Sequence, residues 1–355
     1  MKICDVYPYS EDITTFVNTA GLPDVALGIE VEVEGGSRLA NIHRYWCVEE
    51  DSSLRDDGRE IVLRCPLRGD DLMQALDELK GIMTNRLRVS HRCSVHVHID
   101  VRGRTHEQIS SLILAYAATE AALFTPAGKS RYSNIYCPGL TSCYSLVSEL
   151  RHAVRDMDNL RSVANCYAKY TAMNLRAIRN QGSIEFRMHE GTKDADVVKE
   201  WALRLMHFAD TAMGMTPATV VKEATNGTLL RKVTNPTSDM LDNHRKYGDN
   251  NLMNCLDIYA GTTATEVAET PETTLRVRTT SPEFNTAEIP VRTVDVDLSA
   301  LVAAGSAMDS QSHHEVTHSA TMRPAADTLP WDVHTRRSAR INTVQYSPII
   351  DTGET

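Results

Sequence analysis

Three stretches of the chain alternate apolar and ionisable residues with a period of two: GIEVEVE over 28–34, SVHVHID over 94–100 and GSIEFRMH over 182–189. A β-strand sends successive side chains to opposite faces. Read as strands, the first puts Glu30, Glu32 and Glu34 on one of its faces, the second does the same with His96 and His98, and the third with Glu185, Arg187 and His189. Behind them stand Ile29, Val31, Val33, Val95, Val97, Ile99, Ile184, Phe186 and Met188. The pattern predicts one sheet with an apolar back and a front of carboxylate, imidazole and guanidinium groups.

Between the first two strands, HRYWCVEEDSSLRDDGREIVLRCPL reads as strand, turn and strand. Asp56, Asp57 and Gly58 supply the turn, and Glu60 opens the second strand. Residues 70–87 space Leu72, Ala75, Leu76, Leu79, Ile82 and Met83 as a helical stripe behind Asp70 and Asp71, whose charges suit a helix N-terminus. The stretch 105–125 is apolar enough for a buried helix ending at Pro126, and 141–158 and 161–171 read as helices. A further helix over 194–213 carries Val197, Val198, Trp201, Leu205 and Phe208 on one face. Hairpins and helices interleave without regular βαβ spacing, so the predicted class is α+β, a largely antiparallel sheet with flanking helices. The pattern weakens after residue 215. The division expected is a catalytic-type domain over 1–215, a partly helical extension over 216–260, and a Thr- and Pro-rich tail over 261–355. That tail has few large apolar residues, which predicts disorder or loose attachment and makes it a candidate segment for binding a protein partner.

Composition narrows the function classes. A net charge of -10 without a basic stripe disfavours binding of nucleic acid. Eight scattered cysteines with no C-x-x-C pair read as reduced thiols, which points to a cytoplasmic protein. The opening MKICDVYPYSED lacks the apolar run of a signal peptide, and no stretch reads as a membrane span, so no membrane association is expected.

Crowded carboxylates raise one another's pKa or demand a cation. Glu30, Glu32, Glu60 and Glu185 with His96 or His98 make such a set, and oxygen-rich ligation with one imidazole suits Mg²⁺ or Mn²⁺ better than a structural zinc site. Arg187, one strand repeat from Glu185, could fork onto a phosphate held by the same cations. Gly128-Lys129-Ser130 imitates the end of a phosphate loop, but Leu123 stands where the first glycine is required and a helix precedes it.

These residues resemble a known family, the phage and bacterial amidoligases, which look like distant relatives of glutamine synthetase and glutamate–cysteine ligase. The matching pieces are G-x-E-x-E at Gly28, Glu30 and Glu32, then D-x-S-L with a following Gly-x-Glu at Asp51, Ser53, Leu54, Gly58 and Glu60. The H-V-H-I-D strand follows, then R-Y-S-N-x-Y-C from Arg131 to Cys137, K-Y-x-x-x-N-L from Lys169 to Leu175, and G-S-I-E-F-R-x-H-x-G-T from Gly182 to Thr192. The resemblance covers 25–205. It implies a curved, glutamine synthetase catalytic-domain-like sheet cradling ATP and Mg²⁺ (or Mn²⁺), with Glu30, Glu32, Glu60, His96 and Glu185 as metal ligands. By the same resemblance Arg187 steadies the transferred phosphoryl group, His98 touches nucleotide phosphate, and Arg131 and Lys169 contact substrate or phosphate. The pair Asp56-Asp57 departs from the pattern by enlarging the acidic turn before Glu60. The implied activity is ATP-dependent ligation of a small-molecule or peptide carboxylate to an amine through an acyl phosphate, in the host cytoplasm if phage-encoded. Two alternatives stand beside it: a metal-dependent hydrolase built on His96, His98 and Glu185, and a non-catalytic binding protein on the same sheet.

Overall fold

The computed structural model describes residues 1–7, 17–37, 39, 43–83, 86–132 and 134–262. The reading of 261–355 as a disordered tail therefore falls, apart from its first two residues, outside the described residues. The strands are β1 (Leu27–Val33), β2 (Trp46–Glu50), β3 (Arg59–Leu63), β4 (Ser94–Asp100), β5 (Met173–Asn174) and β6 (Ser183–Glu190). They form one sheet in the order β2-β3-β1-β4-β6-β5, and every neighbouring pair is antiparallel. The expected class, α+β with an antiparallel sheet and flanking helices, is the one observed.

Register builds the front of the sheet. Glu30 lies opposite His96 on one side and Val62 on the other, Glu32 lies opposite Glu60, and His98 lies between Gly28 and Glu185. The three alternating stretches thus become β1, β4 and β6, side by side in the middle of the sheet although far apart in the chain. In the β2–β3 connection Asp56 and Asp57 adopt left-handed backbone at φ 48° and 56°, a conformation aspartate tolerates better than most residues. Their carbonyls accept from the amides of Gly35 and Gly36 at 2.7 and 3.1 Å, which closes this turn against the end of β1.

One strand departs from simple alternation. Val97 pairs with Phe186 and Val95 with His189, so two steps along β4 match three along β6. The extra residue is a β-bulge, which resets the side-chain direction beyond it. His189 consequently points to the back with Val95, its ring 5.2 Å from that of Trp201. The expectation that Glu185, Arg187 and His189 share a face is corrected: His189 belongs to the core, where burial pushes its pKa down.

The helices are α1 (Gly69–Ile82), α2 (His106–Ala127), α3 (Tyr144–Ala153), α4 (Met157–Cys166), α5 (Ala177–Gln181), α6 (Ala195–Met213), α7 (Pro217–Thr225), α8 (Leu229–Val233) and α9 (Ser238–Tyr259). The apolar back of the sheet packs on α1, α2 and α6: Trp46 Nε1 donates to the Ala75 carbonyl of α1 at 2.8 Å, and Phe186 meets Tyr116 of α2 and Phe208 of α6 edge to face. Helix α2 opens on a capping box between Thr105 and Gln108, and Pro126 lies inside its last turn before Gly128 at φ 102°. By length and composition α2 is apolar enough to cross a membrane, contrary to the expectation that no stretch reaches that length, yet 89% of its most apolar window is buried within the protein. A helix hydrophobic on all sides is what a central position demands. The sheet and α6 cover one side of α2, and α7, α8 and α9 cover others. Residues 216–260 are accordingly helical over most of their length, and Val220, Leu229, Val233, Cys255 and Ile258 join the same core.

Candidate functional site

The front of the sheet is polar and buried together. Glu30, His96, His98 and Glu185 are each 1–2% exposed, and Glu32, Glu34 and Arg187 no more than 8%. Two overlapping triads offer ligand atoms within 4.8 Å of one another: Glu30, His96 and Glu185, and Glu32, Glu60 and His96. All five residues expected as metal ligands are therefore in one place.

His96 joins the two triads. Its Nδ1 stands 3.0 Å from Glu30 Oε2 and 3.4 Å from Glu185 Oε1, while Nε2 stands 2.7 Å from Ser94 Oγ. The Ser94 hydroxyl and amide both donate to Glu32 Oε2, at 2.6 and 2.7 Å. A carboxylate oxygen only accepts, so the serine proton goes to Glu32 and Ser94 Oγ takes a hydrogen bond from His96 Nε2–H. In a neutral imidazole the remaining lone pair on Nδ1 then faces two carboxylates. That arrangement is favourable only with a positive charge among the three, a proton or a cation.

The charges around the cluster lean the same way. Burial pushes the Glu30 carboxyl up, but His98 and His96 beside it hold it well below its ordinary value. Burial likewise opposes the Glu185 charge, and Arg187, His98 and His96 overcome it and lower its pKa. Glu60 has no such help: burial, and then the Glu30, Glu32 and Asp51 carboxylates, push it well above its ordinary value. Burial pulls His98 down, yet Glu30 and Glu185 outweigh it and raise it, with Nε2 at 3.2 Å from Glu30 Oε1. A donor set of four carboxylates and one imidazole, with one carboxyl too crowded to ionise easily, fits a hard divalent cation.

Arg187 lies against this cluster. Its Nη1 donates to Glu185 Oε1 at 2.5 Å, and Asn174 Nδ2 holds the other carboxylate oxygen at 2.7 Å. Burial works against the Arg187 charge, but Glu185, Glu32 and Glu30 keep its pKa above the ordinary guanidinium value. Arg131 is 2% exposed and donates from Nη2 to the Arg187 carbonyl at 2.8 Å. Among the described residues Arg131 has no ion-pair partner, and the Nε atoms of both arginines are buried without a hydrogen bond. Two buried guanidiniums with spare donors make a place for an oxyanion. Lys169 is not drawn into the acidic cluster; its Nζ stands over the Tyr170 ring, 5.8 Å from the centroid, and the Arg187 guanidinium stands 5.7 Å from the same centroid.

Three residues that hold the site went unassigned in the sequence. Ser94 links His96 to Glu32, Ser183 Oγ stands 3.0 Å from His98 Nδ1, and Asn174 reaches Glu185 from the edge strand β5. Ser94 was within reach of sequence reasoning, since it precedes His96 by one strand repeat and must share its face.

Residues 42–207 match the model of a family described as "Putative amidoligase enzyme". The matched region holds Glu60, His96, His98, Arg131, Lys169, Glu185 and Arg187, while Glu30 and Glu32 on β1 precede it. No curated protein matches the chain.

Proposed function

Starting from the amidoligase-family match over residues 42–207, we propose that this chain is an ATP-dependent carboxylate–amine ligase that forms an amide through an acyl phosphate. The observation that carries the reading is the convergence of four carboxylates and His96 in two overlapping triads, with two buried guanidiniums beside them. An acid and an amine do not condense in water unless the acid is activated, and activation by phosphoryl transfer is mostly a problem of placing and neutralising charge.

Glu30, Glu185 and His96 would hold one Mg²⁺ or Mn²⁺ ion, and Glu32 and Glu60 a second, with Ser94 fixing the ring of His96 between them. Bound there, the cations would neutralise nucleotide phosphates and the charge that develops during transfer. Arg187, anchored by Glu185, would steady the transferring group, and Arg131 would add a second buried donor set for the same oxygens or for the substrate carboxylate. His98, held by Ser183 and with its pKa raised by Glu30 and Glu185 against the pull of burial, offers a further donor toward nucleotide phosphate. The front supplies acids for cations and cations for anions, and its buried position limits loss of an activated acid to water.

The test is ADP release from ATP and Mg²⁺ by the full chain across amino acids, peptides and polyamines, with hydroxylamine added to trap an acyl phosphate. Hydroxamate formation that requires ATP and a carboxylate is the expected result, with its loss in Glu185→Gln and His96→Ala. ADP release that no carboxylate stimulates, or turnover at the wild-type rate in either variant, would remove the reading.

A further inference from the structure

An aromatic shelf adjoins this site and has no part in holding cations. Tyr136 and Tyr170 are 41% and 50% exposed, and Ile135 next to them 78%. The two rings meet edge to face, centroids 5.9 Å apart at 74°. Neither lies on a loose segment. Ala172 N donates to the Pro138 carbonyl at 3.0 Å, Arg187 N donates to the Ala172 carbonyl at 2.9 Å, and Tyr136 N donates to Asn134 Oδ1 at 2.9 Å. The two loops are thereby tied to each other and to β6 at Arg187. An exposed pair of rings held this firmly, with the Arg187 guanidinium 5.7 Å from one of them, marks a place for a ligand.

Charge decides which ligand fits. Arg187 and Lys169 flank the Tyr170 ring, and the buried Nε donors of Arg131 and Arg187 have no partner among the described residues. A cationic amine would meet the positive groups of Arg187 and Lys169 beside the ring, whereas a carboxylate would pair with them and leave its carbon body against the rings. Adenine is a poorer occupant: Arg187 also grips Glu185, so the shelf lies beside the reacting end of the site, not a ribose and a chain of phosphates away.

We propose that Ile135, Tyr136 and Tyr170 form the specificity shelf for the carbon body of the carboxylate substrate, so that the acid taken carries an extended or flat apolar body. The inference rests on the ligase reading for the identity of the ligand as substrate, but its test does not need turnover. Acetate, hexanoate and 3-phenylpropanoate, the primary amide of each, and adenosine are titrated by ligand-observed NMR against the full chain and its Tyr170→Ala, Tyr136→Ala and Tyr170→Phe variants. Affinity should rise about tenfold from acetate to 3-phenylpropanoate, as expected for one good aromatic contact. The gain should vanish in both alanine variants and survive in Tyr170→Phe, and the amides should bind more weakly than the acids. A flat series, the same gain in Tyr170→Ala, amides equal to acids, or adenosine as the ligand that Tyr170→Ala releases would each overturn the proposal. Acids bound through Tyr170 by a chain that never releases ADP would count against ligation alone. Ligation indifferent to both tyrosines would count against the shelf alone.

Discussion

Replacing Glu60 by glutamine keeps the length of the side chain and removes one negative charge from the front of the sheet. Glu60 lies opposite Glu32 across β1–β3 and opposite Glu49 across β2–β3. Burial, then Glu30, Glu32 and Asp51, hold its carboxyl well above the ordinary value of 4.5. A carboxyl raised on folding binds more protons in the folded protein than in the unfolded one, so its cost is absent below the ordinary value and grows as pH rises through and beyond it. Each pKa unit is worth about 1.4 kcal/mol, and each kcal/mol shifts the Tm of a domain of roughly this size by about 2–4 °C. In EDTA at pH 8 the Glu60→Gln protein should therefore melt above wild type, by about 2–4 °C for each kcal/mol of that cost. At pH 4 the difference should disappear. Cations reverse the order: at a Mg²⁺ or Mn²⁺ concentration of about a hundred times Kd the wild type gains about 2.7 kcal/mol by mass action, roughly 5–10 °C, and the variant, lacking one ligand, gains less. Differential scanning fluorimetry of both proteins over this pH range, with and without MnCl₂, reads all four conditions. A variant that melts at or below wild type in EDTA at pH 8, or that gains as much from Mn²⁺, would refute the placement of Glu60 in a crowded cation site.

Ser94→Ala should lower Mn²⁺ affinity about 10–100-fold, the usual effect of losing a group that orients a ligand, while leaving the fold intact; calorimetric titration checks it. In EDTA and in the Glu60→Gln background, stability should decline as pH rises past the elevated His98 value, because a histidine raised on folding contributes fully below its ordinary 6.5 and loses that contribution as it deprotonates. His98→Gln should flatten that decline in urea unfolding at several pH values. Glu120, buried in α2, accepts from the Tyr116 hydroxyl, the Leu140 and Thr141 amides and the Thr141 hydroxyl. Glu120→Ala orphans those donors and should cost about 3 kcal/mol in urea unfolding.

The strands and their polar sides were legible because a pleated strand imposes period two and the acids, histidines and arginine kept to it. Glu30, His96 and Glu185 could thus be placed on one face before any pairing was known. The hairpin turn before Glu60 pairs its strand with β2, and only the order of the sheet sets it beside β1. What alternation does not carry is register. His189 continues the alternation of EFRMH in the sequence, and only the pairing of β6 with β4 reveals the extra residue that turns it into the core. The expectation that no stretch reads as a membrane span fails at α2, since a helix enclosed by a sheet and other helices shares its composition with one enclosed by lipid. Lys169 and Tyr170 show the third limit. Both lie on a loop beyond Cys166, where α4 ends, inside the stretch 161–171 whose spacing reads as a helix, and the aromatic residue rather than its charged neighbour is the one that meets Arg187 and Tyr136.

Burial of the front is not written in alternation either. A strand face of glutamates ordinarily faces water, and nothing in GIEVEVE alone distinguishes a solvated face from an enclosed one. Strand order sets the crowding: β1 falls between β3 and β4, with β6 beyond, so their polar sides share one face. Separately, each acid would be an ordinary exposed carboxylate. Brought together and buried, they repel one another until a proton or a cation intervenes. Crowding of this kind lowers the stability of an empty fold, and the core formed by α1, α2 and α6 on the back of the sheet is what offsets that cost.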